Sequence, residues 1–204
     1  MDTQIQQTFE QLKQTISVST SPFHTAQEAL RQLSDAGFVI LDWDSTWELI
    51  PGGKYAVCPF GTTVFGFQVG TDLSDTPVWK LSSSHIDNPG FRIKYNPVVS
   101  SKNGCRLNTE VYGGPILNTF FDRPLSLAGK VVTKGDRYDR PVSHLVDLKR
   151  PAVYLPNLAI HMNRAINENG APIDNQKHLL PILGTLNEYL NKDTTFRSEE
   201  HTSE

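Results

Sequence analysis

His85 and Asp87 stand two residues apart in the stretch "VWKLSSSHIDNPGF". On an extended strand, residues i and i+2 leave the same face. The imidazole and the carboxylate then lie side by side, with Ile86 turned to the opposite layer. A neutral imidazole is a good zinc ligand. A neighbouring carboxylate can hold the ring in one tautomer and raise its basicity. Pro89 and Gly90 end the strand, and open α/β sheets bind ligands at the carboxyl ends of their strands. The pair is therefore suited to one metal ligand with its orienting partner. A two-residue pattern recurs by chance, and alone it more often marks a hydrogen-bonded surface histidine than a metal ligand.

Other candidates are weaker on residue chemistry alone. His161 in "PNLAIHMN" reads as a histidine packed beside Leu158 and Met162. His24 falls in the first turn of an expected helix, where capping or packing is its role, and His144 and His178 have no partner pattern. Glu110 and Asp122 could form an acid/base couple. Gly113 and Gly114 mark a tight turn between them, and Arg123 beside Asp122 favours a carboxylate that fixes a loop or interface.

These residues need elements to carry them. Ile5, Phe9, Leu12 and Ile16 recur at helical spacing, which predicts an amphipathic first helix. A second helix is expected over "SPFHTAQEALRQLSDAG". Ser21 is its N-cap, Pro22 its first helical residue and Gly37 its left-handed stop. Phe23, Ala26, Leu30 and Leu33 form its inward stripe. Strands are expected in "FVILDW", in two runs around Pro59-Phe60-Gly61, and in "VWKLSSSHID". Helices followed by strands imply an α/β or α+β layer. Beyond Lys94 the short runs "RLNTEVYGG", "GKVVTKG", "SHLVDL" and "AVYLP" predict a small barrel or sandwich, and "HLLPILGTLNEYL" is expected to be partly helical.

Composition bounds the function. With 204 residues, 38% hydrophobic and 20% charged, the chain reads as globular, and its net charge of −3 gives no reason to expect nucleic acid. No window approaches a signal peptide or membrane span. Cys58 and Cys105 stand singly, so a reduced, cytoplasmic setting is the expectation.

Three long motifs, "SHIDNPGFRIKYNP", "LNTEVYGGPILNTFFDRPLSLAGKVV" and "YLPNLAIHMNRAINENG", come in this order. Together with "SPFHTAQEALRQLSDAGF" and the "GGKY" after Trp47, they closely resemble the M18 metalloaminopeptidases, the aspartyl aminopeptidases. The likeness extends to about Gly184. It implies a zinc-exopeptidase α/β domain into which a mostly β domain, used for dimerisation, is inserted. The change of pattern near Lys94–Val98, which fits the start of that insert, sets the N-terminal part of the catalytic domain at 1–94 and the insert at 95–196. The likeness implies two zinc ions per active site, a peptide substrate, and release of N-terminal residues, Asp or Glu preferred, by metal-activated water. A large homo-oligomer built from dimers is implied as well.

Carried over to this chain, the resemblance makes His85 a metal ligand and Asp87 the residue that orients and polarises it. Ile86 and Asn88 replace residues more usual in relatives, without touching either functional side chain. His161 becomes the histidine that reaches a neighbouring subunit's active site and stabilises negative charge on the reacting carbonyl oxygen. A related oligomeric metalloaminopeptidase family and a non-catalytic oligomerisation or binding module are the alternatives. The last residues, "RSEEHTSE" at 197–204, look like a translated sequencing adapter. The natural protein is then expected to continue beyond about Phe196 with the remaining ligands and general base, and the 204-residue chain to be inactive and to bind zinc poorly.

Overall fold

The structure is a computed structural model that describes residues 3–72, 78–101, 104–137, 139–170 and 172–184. The 197–204 tail, and the part of "HLLPILGTLNEYL" after Gly184, lie outside the described residues. The chain forms two compact units. One holds the described residues up to Asn88 together with Ala128–Asp147; the other holds Pro89–Leu127 and the described residues from Leu148 onward. The units divide at 88/89, and the stretch Ala128–Asp147 lies with the first.

The first unit opens with helices α1 (Thr3–Val18) and α2 (Pro22–Asp35). Helix α2 is built by its ends. The Ser21 side chain accepts from the His24 backbone N–H, Pro22 opens the helix, and Gly37 beyond it takes φ +83°. Ala26 on its inner face is 1% exposed, and the helix packs on strands β1 (Val39–Ile40) and β2 (Lys54–Val57). Strand β1 runs parallel to β2, and β3 (Phe65–Gln68) pairs antiparallel with β2 to complete a mixed three-stranded sheet. Tyr55, Ala56 and Val57 bury the central strand. The later hairpin of β7 (Ala128–Thr133) and β8 (Val142–Asp147) belongs to this unit, with β7 against α2.

Two expectations change here. The α1 stripe has helical spacing, but Ile5, Phe9, Leu12 and Ile16 are all at least half exposed, so periodicity gave the element and not its packing. The stretch "VWKLSSSHID" was expected as a strand. The structure leaves residues 78–89 outside any ladder. A strand exists only through a neighbour's hydrogen bonds, and the three-strand order places no described strand beside it.

The second unit is one five-stranded sheet in the order β4-β5-β10-β9-β6, where a barrel or sandwich was expected. Its strands are β4 (Gly90–Ser101), β5 (Gly104–Tyr112), β6 (Pro124–Leu125), β9 (Val153–Tyr154) and β10 (Ile182–Gly184), all paired antiparallel. Leu107, Thr109, Val153, Leu155 and Leu179 form its buried centre. A short helix, α3 (Ile166–Asn169), lies within the irregular stretch between β9 and β10. Among the described residues no helix is long and apolar enough to cross a membrane.

Candidate metal centre

His85 and Asp87 lie past β3 in the first unit, on the segment without a ladder. They remain together. His85 Nδ1 is 2.9 Å from the Asp87 main-chain oxygen and 3.4 Å from Asp87 Oδ1. A carbonyl oxygen can only accept, so Nδ1 carries the proton and donates it. In the neutral ring this leaves the Nε2 lone pair as the ligand atom. The closer orienting contact is thus the backbone carbonyl, where the pattern pointed to the carboxylate. The His85 side chain is 82% exposed and that of Asp87 33%.

The donor set decides what such a pair can hold. A catalytic zinc takes three protein ligands and keeps a fourth position open. Among the described residues no group of three or more His, Cys, Asp or Glu side chains is placed to hold a metal. His85 fits one ligand position with an aligned tautomer, and the described residues do not complete the site.

His161 lies in the second unit, on the 3-10 turn Ile160–Met162. That turn is held by Met162 N–H donating to the Ala159 carbonyl at 2.8 Å and Asn163 N–H donating to Ile160 at 3.2 Å. His161 is exposed, and so are Leu158 at 53%, Ile160 at 46% and Met162 at 73%. Packing beside Leu158 and Met162 therefore does not bury it.

The remaining described histidines have local partners. His24 Nδ1 is 2.7 Å from Ser21 Oγ at the α2 cap, His144 Nε2 is 3.0 Å from Thr133 Oγ1, and His178 Nδ1 accepts from the Asp174 N–H at 3.1 Å. A recess of about 590 Å³, lined by Phe23, Leu30, Phe60, Lys130 and Leu145 among others, includes neither His85 nor Asp87.

Asp122 departs from its expected partner. Its carboxylate turns to the chain more than thirty residues on, where Oδ1 accepts from Tyr154 Oη–H and from Asn157 N–H, both at 3.0 Å. The Asn157 N–H, and then the Tyr154 hydroxyl, hold the Asp122 carboxyl below its ordinary range, and the same bond raises the Tyr154 phenol. Reading the sequence missed this set because its members are far apart in the chain. The available signal was an Asp at the turn before Arg-Pro, a position that tolerates left-handed backbone.

A helix-covered mixed sheet carries the His-x-Asp pair past its last strand, and an antiparallel β sheet forms the other unit, as the resemblance to a metalloaminopeptidase led one to expect. The comparisons give the family. Residues 15–204 match the model of Aminopeptidase I zinc metalloprotease (M18), and the chain belongs to that family. It is 43% identical over 176 residues to a probable M18 family aminopeptidase 2 of Clostridium acetobutylicum, a match covering 86% of this chain and 40% of that relative. It resembles the cryo-EM structure of the Ape4 and Nbr1 complex with a TM-score of 0.78 at 28% identity, covering 92% of this chain and 36% of that one. The S. cerevisiae mApe1 dodecamer shares the fold with a TM-score of 0.62 at 22% identity, over 74% of this chain and 36% of that one. The chain thus spans well under half the length of these relatives.

Proposed function

We propose that the whole protein is a zinc-dependent aminopeptidase that releases N-terminal residues, Asp or Glu preferred, from peptides. The observation that carries this reading is the His85 geometry within an M18 chain. Donation from Nδ1 to the Asp87 carbonyl fixes the ring with Nε2 available as a ligand. Zinc, when bound, supplies Lewis acidity and lowers the pKa of water. Of this chain's residues, His85 would contribute one ligand and Asp87 would hold its ring. The exposed His161, flanked by exposed Leu158, Ile160 and Met162, suits a donor offered to another subunit, where it would meet the charge that develops on the carbonyl oxygen. A large homo-oligomer built from dimers belongs to the same reading, supported by the dodecameric fold relative. So does a cytoplasmic setting, supported by two unpaired cysteines.

Kinetics and calorimetry test it. In a protein of the relatives' length, His85→Ala removes the ligand atom and is expected to lower zinc affinity sharply, whereas Asp87→Asn keeps the main-chain carbonyl that orients the ring and is expected to cost less than the roughly 10–100-fold of a lost orienting partner. His161→Ala is expected to lower kcat by about 10²–10³-fold. The 204-residue chain is expected to be inactive on aspartyl and glutamyl substrates and to show no tight stoichiometric zinc binding. Tight binding by this chain would contradict the incomplete donor set. A longer protein that takes up no zinc and cleaves no N-terminal residue would overturn the peptidase reading.

A further inference from the structure

We propose that Asp122 is a positioning residue for the segment that carries His161, clamping its root through three hydrogen bonds. Asp122 N–H donates to the Leu155 carbonyl at 2.9 Å. In return, Asp122 Oδ1 accepts from Tyr154 Oη–H and from Asn157 N–H, each at 3.0 Å. The clamp sits where regular pairing stops. Strands β6 and β9 match only Pro124 with Tyr154 and Leu125 with Val153. Past Tyr154 the chain has no ladder until after the His161 turn. Pro156 has no N–H to offer, so the N–H of Asn157 is the next donor, and the carboxylate takes it.

The backbone at Asp122 is adapted to this work. Its φ is +55°, a left-handed conformation that Asp and Asn tolerate better than other side chains with a Cβ. That turn lets one residue present both its N–H and its carboxylate to residues 154–157. Leu155, between the bonded positions, is 1% exposed and anchors the segment in the sheet centre. From Asn157 it is four residues to His161. Fixing the root at both Leu155 and Asn157 limits the directions in which the 3-10 turn can present its imidazole. A misplaced catalytic group can cost up to about 100-fold in rate.

The catalytic consequence rests on the His161 reading proposed above; the clamp does not. Two measurements separate them. In the 204-residue chain, NMR should find the Asn157 amide proton shifted downfield by its carboxylate acceptor. In Asp122→Ala that shift should disappear, and backbone order parameters at Ile160–Asn163 should fall from about 0.85 to below about 0.6. Asp122→Asn keeps the acceptor oxygen and the left-handed turn, so it should restore both signals. The Leu107 amide, which donates to Pro181, reports on the sheet. If Asp122→Ala unfolds it, Tyr154→Phe is read instead and should loosen the same four residues. Wild-type order in the alanine variant, or an asparagine variant as loose as it, overturns the clamp. In a protein of the relatives' length, Asp122→Ala should lower kcat with KM unchanged, and Asp122→Asn should recover it. A silent His161→Ala there would remove the catalytic role of His161 and leave the NMR result standing. A damaging His161→Ala beside a silent Asp122→Ala would overturn the positioning role.

Discussion

Glu28 shows how far a single side chain can be read from its surroundings. Its side chain is 11% exposed. Arg31 grips both carboxylate oxygens, through Nε at 2.8 Å and a terminal nitrogen at 2.7 Å, and Gln32 donates at 2.9 Å. The Arg31 bonds, then the Gln32 bond, lower the Glu28 carboxyl to about 2. A depressed carboxylate stabilises the fold above its unfolded pKa and loses that contribution as pH falls through the folded value. Wild type should therefore exceed Glu28→Gln in urea midpoint at pH 7. The gap should narrow below pH 4.5 and close near about 2. Because Arg31 is 56% exposed, salt should shrink the gap as well. A gap that stays constant across this pH range would refute the coupling. The i, i+3 spacing of Glu28 and Arg31 on a helix is a local pattern of the kind sequence carries, though it went unread. The Asp122 clamp is not such a pattern, because nothing local links residue 122 to residues 154 and 157.

Elements with strong local punctuation were legible, and those defined by a distant partner were not. Helix α2 follows its Ser21, Pro22 and Gly37 signals. Strand β4 went unnamed because the boundary expected at 94/95 fell inside it, next to Pro97. The structure places that proline at a register shift between Ile93 and Val98, on the outermost strand of its sheet, where proline is tolerated. Thr109, on the next strand, ties the sheet together. It is 3% exposed, and its hydroxyl donates to the Leu179 carbonyl, seventy residues on. Thr109→Val keeps the shape and strands a buried acceptor, which should cost about 1–3 kcal/mol. Chemical denaturation should show a lower midpoint with an unchanged slope. A loss below about 0.5 kcal/mol, within the range of ordinary surface changes, would mean that the carbonyl finds another donor.

For the molecule as a whole, the outstanding feature is apolar surface with nothing described against it. Val78 is 87% exposed, Trp79 76% and Leu81 90%. The same segment leads to His85, so the exposed apolar residues and the incomplete donor set lie on one short stretch of chain. The chain covers only 40% of the curated relative's length, and large exposed apolar stretches mark surfaces that bind something. In a protein of the relatives' length, a strand paired with residues 78–87 would cover this surface and hold the segment that carries His85. Trp79 reports on it directly. In the 204-residue chain its emission should be red-shifted and readily quenched by acrylamide, and Trp79→Phe should remove that component. In a protein of the relatives' length the component should shift to the blue and resist quenching. Stoichiometric zinc binding should appear in that same longer protein, because the segment that holds Trp79 also carries His85. Trp79 equally quenched in both proteins, with zinc bound tightly by the longer one, would separate the two features and refute the shared cause.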